Sequence, residues 1–340
     1  MKRLFTLAVI LSLAAGLATA GVVKQSKSQI TFRGFGTFTM VSSGKVSTER
    51  TLSENKAEFK GKGLVGGLAG KTLLRPGDSV EIVDLPARMI YRLDPKKKEY
   101  TATPIEKIQA GTGGAGQAGE QEPAKTQESD IKVTRNEFKV EVSGENKDIN
   151  QFPCQKYIVT WTVDWENVRT GEKGTDKLAT DVWATPTTDA IQAALQEEAA
   201  FNKEYMKALG LDTDQVQRDV LGTSWLGLLG SLDPAGGGSK FKDSSKFSKE
   251  MAKIKGYPIV IDGKYTSARQ GGTQPAQEEE KKGGGLGGAL GKFAVKALKK
   301  DKPADSSEPV LAYYIEVQSL APAGLDAAAF QVPAGYKKKG

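Results

Sequence analysis

Histidine is absent from all 340 residues of this chain. Without imidazole, Ser-His-Asp and Cys-His catalytic centres cannot be built, nor can any metal site that depends on histidine. Paired carboxylates, Ser-Lys dyads and all-oxygen calcium sites survive that exclusion, yet none has a recognisable spacing. Asp212 and Asp214, for example, lack the glycine and the terminal glutamate of a calcium loop. No catalytic residue, metal or cofactor is therefore assigned, and the chain reads as non-enzymatic.

Cysteine is nearly absent too. Cys154 stands alone, so no internal disulfide can form and stability must come from a packed core. It precedes the apolar run Tyr157–Trp165 and reads as a small buried residue. Long hydrophobic runs are missing except at the start, where Lys2 and Arg3 precede Leu4–Leu17 and the small triplet Ala18-Thr19-Ala20. A run shorter than about 18 residues that ends in a cleavage site is an export signal rather than a membrane span. The expectation is a signal over 1–20, a mature chain from Gly21 with no cysteine to lipidate, and a periplasmic or extracellular location. Loss of Lys2 and Arg3 lowers the formal charge from +7 to +5, too little to mark a nucleic-acid partner.

Two glycine-rich stretches imitate nucleotide motifs. Gly111-Thr112-Gly113-Gly114-Ala115-Gly116 matches G-x-G-x-x-G in letters, but no apolar strand precedes it and no helix pattern follows. It reads as part of a linker. In Gly63–Thr72 a phosphate loop would need glycine where Val65 stands.

What the chain does have is alternation. Tyr157, Val159, Trp161, Val163 and Trp165 fall on one side of a strand, and Leu311, Tyr313, Ile315 and Val317 on one side of another. Ile30, Phe32, Gly34, Gly36, Phe38 and Met40 continue the same period and suggest one long first strand. Further strands are expected at 46–49, 56–60, 80–85, 89–93, 100–103, 131–142, 178–184 and 257–265. One apolar and one polar side per strand is the mark of an antiparallel sheet with a single wet face.

A helical block interrupts the strands. Ile191, Leu195, Phe201, Tyr205 and Leu209 form one stripe before Gly210. Val216, Val220, Leu221, Trp225, Leu228 and Leu229 suggest a second helix, and Phe247, Met251 and Ile254 a third that stops at Gly256 and Pro258. Strands, then helices, then strands make an α+β domain over 21–340. Low-complexity insertions occupy 110–129 and 268–307, with too few apolar residues to offset the entropy of ordering. Within the second, Gly285–Lys300 fits either a basic amphipathic helix on an anionic membrane surface or a solvated hairpin extension; its glycines favour the extension.

The stretch "MIYRLDPKKKEYTATP", Met89–Pro104, reads as a hairpin. Asp94-Pro95 starts the turn, and three lysines keep its tip in water without a glycine cradle to fix a phosphate.

Several segments together resemble a family of secreted bacterial proteins of unknown function with a LolA-like, lipoprotein-carrier-like fold. They are "MIYRLDPKKKEYT" (Met89–Thr101), "CQKYIVTW" (Cys154–Trp161), "TDVWAT" (Thr180–Thr185), "GYPIVI" (Gly256–Ile261) and "AAAFQVPAGYKKK" (Ala327–Lys339). The resemblance implies a strongly curved antiparallel sheet, an unclosed half-barrel, with helices packed on or plugging the concave face. It also implies an apolar cavity. By strand alternation its lining would include Phe32, Tyr91, Trp161, Trp183 and Tyr313, and Leu221 and Trp225 would close it; the plainer reading of these residues is core. The expected function is a periplasmic binding or carrier protein for a lipid, a lipidated protein or another apolar envelope molecule, with membrane-surface contact through 285–300. Alternatives are a structural or interaction protein of the envelope and a hydrolase using carboxylates only.

Overall fold

The computed structural model describes residues 19–62, 77–107, 130–211, 244–270 and 308–339. The segment expected to be an export signal, up to residue 18, the helix expected to carry Leu221 and Trp225, the whole of the insertion expected at 110–129 and most of the one expected at 268–307 lie outside them. Twelve strands form one unclosed sheet in the order β12-β6-β5-β4-β3-β2-β1-β11-β10-β9-β8-β7. They are β1 Thr19–Phe32, β2 Gly36–Ser47, β3 Arg50–Gly61, β4 Asp78–Asp84, β5 Met89–Asp94 and β6 Glu99–Pro104, then β7 Ile131–Ile149, β8 Phe152–Asn167 and β9 Lys173–Thr185. β10 Tyr257–Gln270, β11 Leu311–Leu325 and β12 Lys337–Lys338 complete the set. All pairings are antiparallel except the short parallel one between β12 and β6. Two meanders thus run outward from the central pair β1–β11, whose register changes by one bulge between Gln25 and Ser26.

The single long first strand expected from the alternation is a hairpin instead. The chain turns at 33–35, with Gly34 in the left-handed region, and Phe32 comes to face Gly36 while Ile30 faces Phe38. A hairpin folded about this turn keeps every member of the period on one face, so the pattern could not reveal the break. β10 also outruns its expected end at Tyr265 and pairs with β9 as far as Gln270, into the segment expected to be an insertion.

Two α-helices are described, α1 Asp189–Ala208 and α2 Ser244–Met251. Both belong to the excursion between β9 and β10, which leaves the sheet at Thr185 and returns at Tyr257 directly opposite. Gly256 makes that return possible. Its φ is +93°, and a β-carbon there would stand 2.0 Å from the Thr185 carbonyl oxygen. α1 starts where Thr188 accepts a hydrogen bond from the Ile191 amide at 3.3 Å, with Asp189 in the first turn and Lys207 in the last, each favourable to the helix dipole. It buries Ile191, Ala194 and Phe201. Phe201 packs with Val83 and Ile105, while Lys24 of β1 reaches Glu198 at 3.4 Å. α2 buries Phe247 and Met251 against the β7–β9 core, with the Phe247 ring 4.6 Å from that of Phe138. Following the register from strand to strand, Lys24, Tyr313, Val159 and Phe138 share one face, so both helices lie on the same side of the sheet.

The opposite face has its own cover. The 3₁₀ turn Ala327–Phe330 and the chain through Tyr336 pack on Ile82, Leu93, Tyr91 and Tyr100. A further cluster around Cys154, Val260 and Trp183 buries the lone cysteine, and desolvation pushes its thiol pKa up.

β7 ends the sheet, and its outward backbone groups need partners. Glu250 of α2 accepts from the Val140 amide at 2.7 Å, and Lys253 donates to the Val140 carbonyl at 3.4 Å and to Glu250 at 2.6 Å. Burial alone would raise the Glu250 pKa, but Lys253 and the Val140 amide outweigh it and hold the carboxyl low. This pair blunts an edge that could otherwise template strand pairing. Glu250→Ala is expected to cost about 1 kcal/mol and to promote self-association. Urea unfolding and sedimentation velocity check it; a variant that is equally stable and equally monomeric refutes the edge-capping role.

Candidate functional site: the helix-bearing face

Alternation along β8 puts Tyr157, Val159, Trp161, Val163 and Trp165 on the helix-bearing face, each at most 4 % exposed. A bulge at Thr134 of β7 changes the period there, so Ile131 and Val133 and, beyond it, Phe138 and Val140 all reach this face. Tyr313 lies flat across Gly263 of the neighbouring strand: a β-carbon on Gly263 would meet the ring Cζ at 2.1 Å. Its hydroxyl reaches Thr180 Oγ1, two strands away, at 2.8 Å. Desolvation raises the phenol pKa well above its ordinary value, so the hydroxyl stays protonated. The Trp161 indole donates to Asn136 Oδ1 at 2.9 Å.

Of the aromatic residues expected to line a cavity, Phe32, Trp161 and Tyr313 do share this face. Tyr91 and Trp183 do not join them. Tyr91 pairs with Ile82 in the opposite-face cluster, and Trp183 lies beside Lys156, whose ammonium stands 5.7 Å from the ring centroid. Leu221 and Trp225 lie outside the described residues. Trp161 and Tyr313 have their polar tips satisfied within the protein and are core residues of the face.

What the face leaves uncovered was not singled out by the alternation. Ile30 is 36 % exposed and Ile315 41 %, on adjacent strands, with Ile30 directly opposite Tyr313 and Ile315 opposite Ser28 on the same face. Phe38 and Met40 of β2 continue the strip, half-buried. These residues read as ordinary strand positions in the sequence, because their lack of a cover depends on where the helices dock.

The opposite face carries a polar groove of about 370 Å³ lined by Arg135, Glu137, Lys139 and Glu141 of β7, Thr160 and Thr162 of β8, and Lys177 of β9. Its charges are paired along β7, Arg135 with Glu137 and Lys139 with Glu141. The Arg135 hydrogen bond holds the Glu137 carboxyl below the usual range, and the Glu141 hydrogen bond raises Lys139. Groups locked in their charged forms are poor proton donors or acceptors near neutrality.

At the far end of the helix-bearing face Asp176 is 2 % exposed. Trp165 Nε1 donates to its Oδ2 at 2.9 Å, and its Oδ1 has no hydrogen-bond partner. Burial raises its pKa, against the lowering effects of Ser267, Trp165, Tyr265 and Arg269. No group of three or more potential metal ligands occurs among the described residues. None of the described helices is long and apolar enough to cross a membrane. Comparison with family models, curated proteins and solved structures finds no match to the chain.

Proposed function

We propose that this protein is a non-enzymatic binding or carrier protein of the cell envelope, exported after cleavage behind Ala20, that holds a lipid or another apolar molecule on the helix-bearing face of its open sheet. The exposed strip of Ile30 and Ile315, continued by Phe38 and Met40, carries the reading. Contiguous apolar surface beside a formed core marks a place where apolar matter is received. In this reading the sheet is a curved half-barrel of the LolA-like kind, α1 and α2 flank its concave side, and the segment with Leu221 and Trp225 supplies a displaceable cover. Cleavage after Ala20 fits the geometry, since β1 then still begins with Gly21 paired to Ala323 and Ser47. A structural role with no small ligand is the second reading, favoured by the charged groove on the opposite face and by the long edge strand β7.

Titration with a fluorescent fatty-acid probe tests the proposal. Saturable binding is expected, and Ile315→Asp should weaken it about tenfold or more, because a carboxylate then replaces apolar contact in the strip. Ile315 is exposed, so the variant should fold normally. Absence of saturable binding by the parent, or equal binding by the variant, removes the reason for a carrier.

A further inference from the structure

The hairpin between β5 and β6 is built by Asp94. Its Oδ1 accepts from the amides of Lys96 and Lys97 at 3.1 Å each, and the Lys97 amide in particular holds the carboxyl below its usual range. Lys98 sits in the left-handed region at φ +52° and closes the turn. Taken alone, three lysines at such a tip only keep it in water. The tertiary structure changes their company. β12 adds to the outer edge of β6 in parallel, with Lys337 opposite Glu99 and Lys338 opposite Tyr100. The Lys337 amide donates to the Lys98 carbonyl at 2.9 Å, and the Lys339 amide to the Tyr100 carbonyl at 2.8 Å. Two lysine triplets more than two hundred positions apart in the chain thereby become one corner.

All six side chains, Lys96, Lys97, Lys98, Lys337, Lys338 and Lys339, are exposed. Among nearby groups, Asp94 takes Lys97 at 3.5 Å, and Glu99 stands opposite Lys337. Three half-buried tyrosines belong to the same elements: Tyr100 lies opposite Lys338, Tyr336 precedes Lys337, and both pack with Tyr91 in the cluster around Ile82 and Leu93. The corner combines a hairpin end with an edge strand of the sheet. Lysines are point charges on flexible stems and give no bidentate fork or backbone cradle for one defined phosphate. They suit a broad negative surface, and tyrosine beside lysine is the composition found at lipid–water interfaces.

We propose that this corner docks the protein on an anionic membrane surface through lipid headgroups. The interaction is electrostatic and reversible, and it holds whether or not the apolar strip takes a ligand. Each lysine brought to such a surface contributes about fivefold to binding at low salt, so loss of one triplet should cost roughly a hundredfold.

The test is co-sedimentation of the full chain with vesicles of phosphatidylglycerol and phosphatidylcholine in equal parts, against pure phosphatidylcholine. Any contribution from the apolar run at residues 4–17 is common to both compositions, so their difference reports the charge. Binding to the anionic vesicles is expected to be preferred, to fall steeply with added salt, and to drop when Lys96, Lys97 and Lys98, or Lys337, Lys338 and Lys339, become glutamine. Exchange of either triplet for arginine should preserve it. The backbone pairing of β12 uses no lysine side chain, so circular dichroism of the glutamine variants should be unchanged, and the loss in those variants, rather than the salt dependence of the parent, separates the corner from the basic run at 285–300. Equal binding to both vesicles, or no loss in either glutamine variant, overturns the proposal. So does displacement by inorganic phosphate beyond chloride of equal ionic strength, which would mean a discrete phosphate site. Binding to duplex DNA without binding to vesicles overturns it as well. Fatty-acid probe binding should be unaffected by the glutamine substitutions, so loss of one activity is distinguishable from loss of the other.

Discussion

Gly263→Val is expected to destabilise the protein by about 3 kcal/mol or more, the largest effect of any single substitution considered. Tyr313 occupies the space above Gly263: an added β-carbon would fall 2.1 Å from the ring Cζ and 2.4 Å from Cε1 and the hydroxyl oxygen. The ring cannot tilt away without breaking its bond to Thr180, which is 1 % exposed and would be left with an unsatisfied hydroxyl. A valine would otherwise suit a strand, so propensity predicts the opposite sign. Chemical unfolding of Gly263→Val, Tyr313→Ala and the double variant gives the answer. Because the steric conflict vanishes when the ring is gone, the double variant should lose much less than the sum of the singles. Strict additivity would show that the ring and the glycine do not share the space.

Replacement of Asp176 by asparagine is expected to stabilise the protein at neutral pH, by about 1–3 kcal/mol, the general cost of a buried polar atom without a partner. The carboxyl is buried, one oxygen has no partner, and its pKa is raised from 3.8 mainly by desolvation. The folded protein therefore binds this proton more tightly than the unfolded chain does. Stability contributed by the group is highest at pH below 3.8, falls as pH rises toward the raised pKa, and is lowest above it. Asparagine can still accept from the Trp165 indole and brings no charge. The stability difference between variant and parent should consequently shrink as pH is lowered from 7 to about 4. Urea unfolding at several pH values measures it. A variant less stable than the parent at pH 7, or a difference independent of pH, would show that the ionised carboxylate is favourable where it stands.

Gly263 and Asp176 also mark how far the sequence could be read. The alternation at Tyr157–Trp165 and Leu311–Val317 is visible in the letters because successive side chains of a strand must point to opposite faces. The helix stripe of Ile191, Phe201 and Tyr205, the stop at Gly210 and the Asp94-Pro95 turn are equally local, and the structure contains each of them, whereas α2 already ends at Met251, short of the stop expected at Gly256. So is the exclusion of imidazole chemistry, which follows from composition alone. Alternation fixes which residues of one strand share a side, but not which side of the sheet that is; only register does so. Alternation by itself groups Tyr91 and Trp183 with Trp161 and Tyr313, and pairing with Ile82 and Lys156 puts them on the other face. The turn at 33–35 reverses the strand without disturbing the hydrophobic period and so leaves no sign in the sequence, whereas the bulge at Thr134 shifts the period from Ile131 and Val133 to Phe138 and Val140.

The tertiary structure alone decided which apolar residues remain uncovered and which charges gather. Ile30 and Ile315 are exposed because α1 and α2 dock elsewhere on the face, and the glycine at 263 is explained only by a ring from a neighbouring strand. Lys96–Lys98 and Lys337–Lys339 each read as a short solvated run. Their union depends on one parallel pairing between segments far apart in the chain, held by main-chain hydrogen bonds that carry no residue-type signature. Local steric and hydrogen-bonding preferences can be read from neighbours in sequence, whereas the faces, gaps and charge clusters of this protein arise from contacts between segments whose letters do not refer to one another.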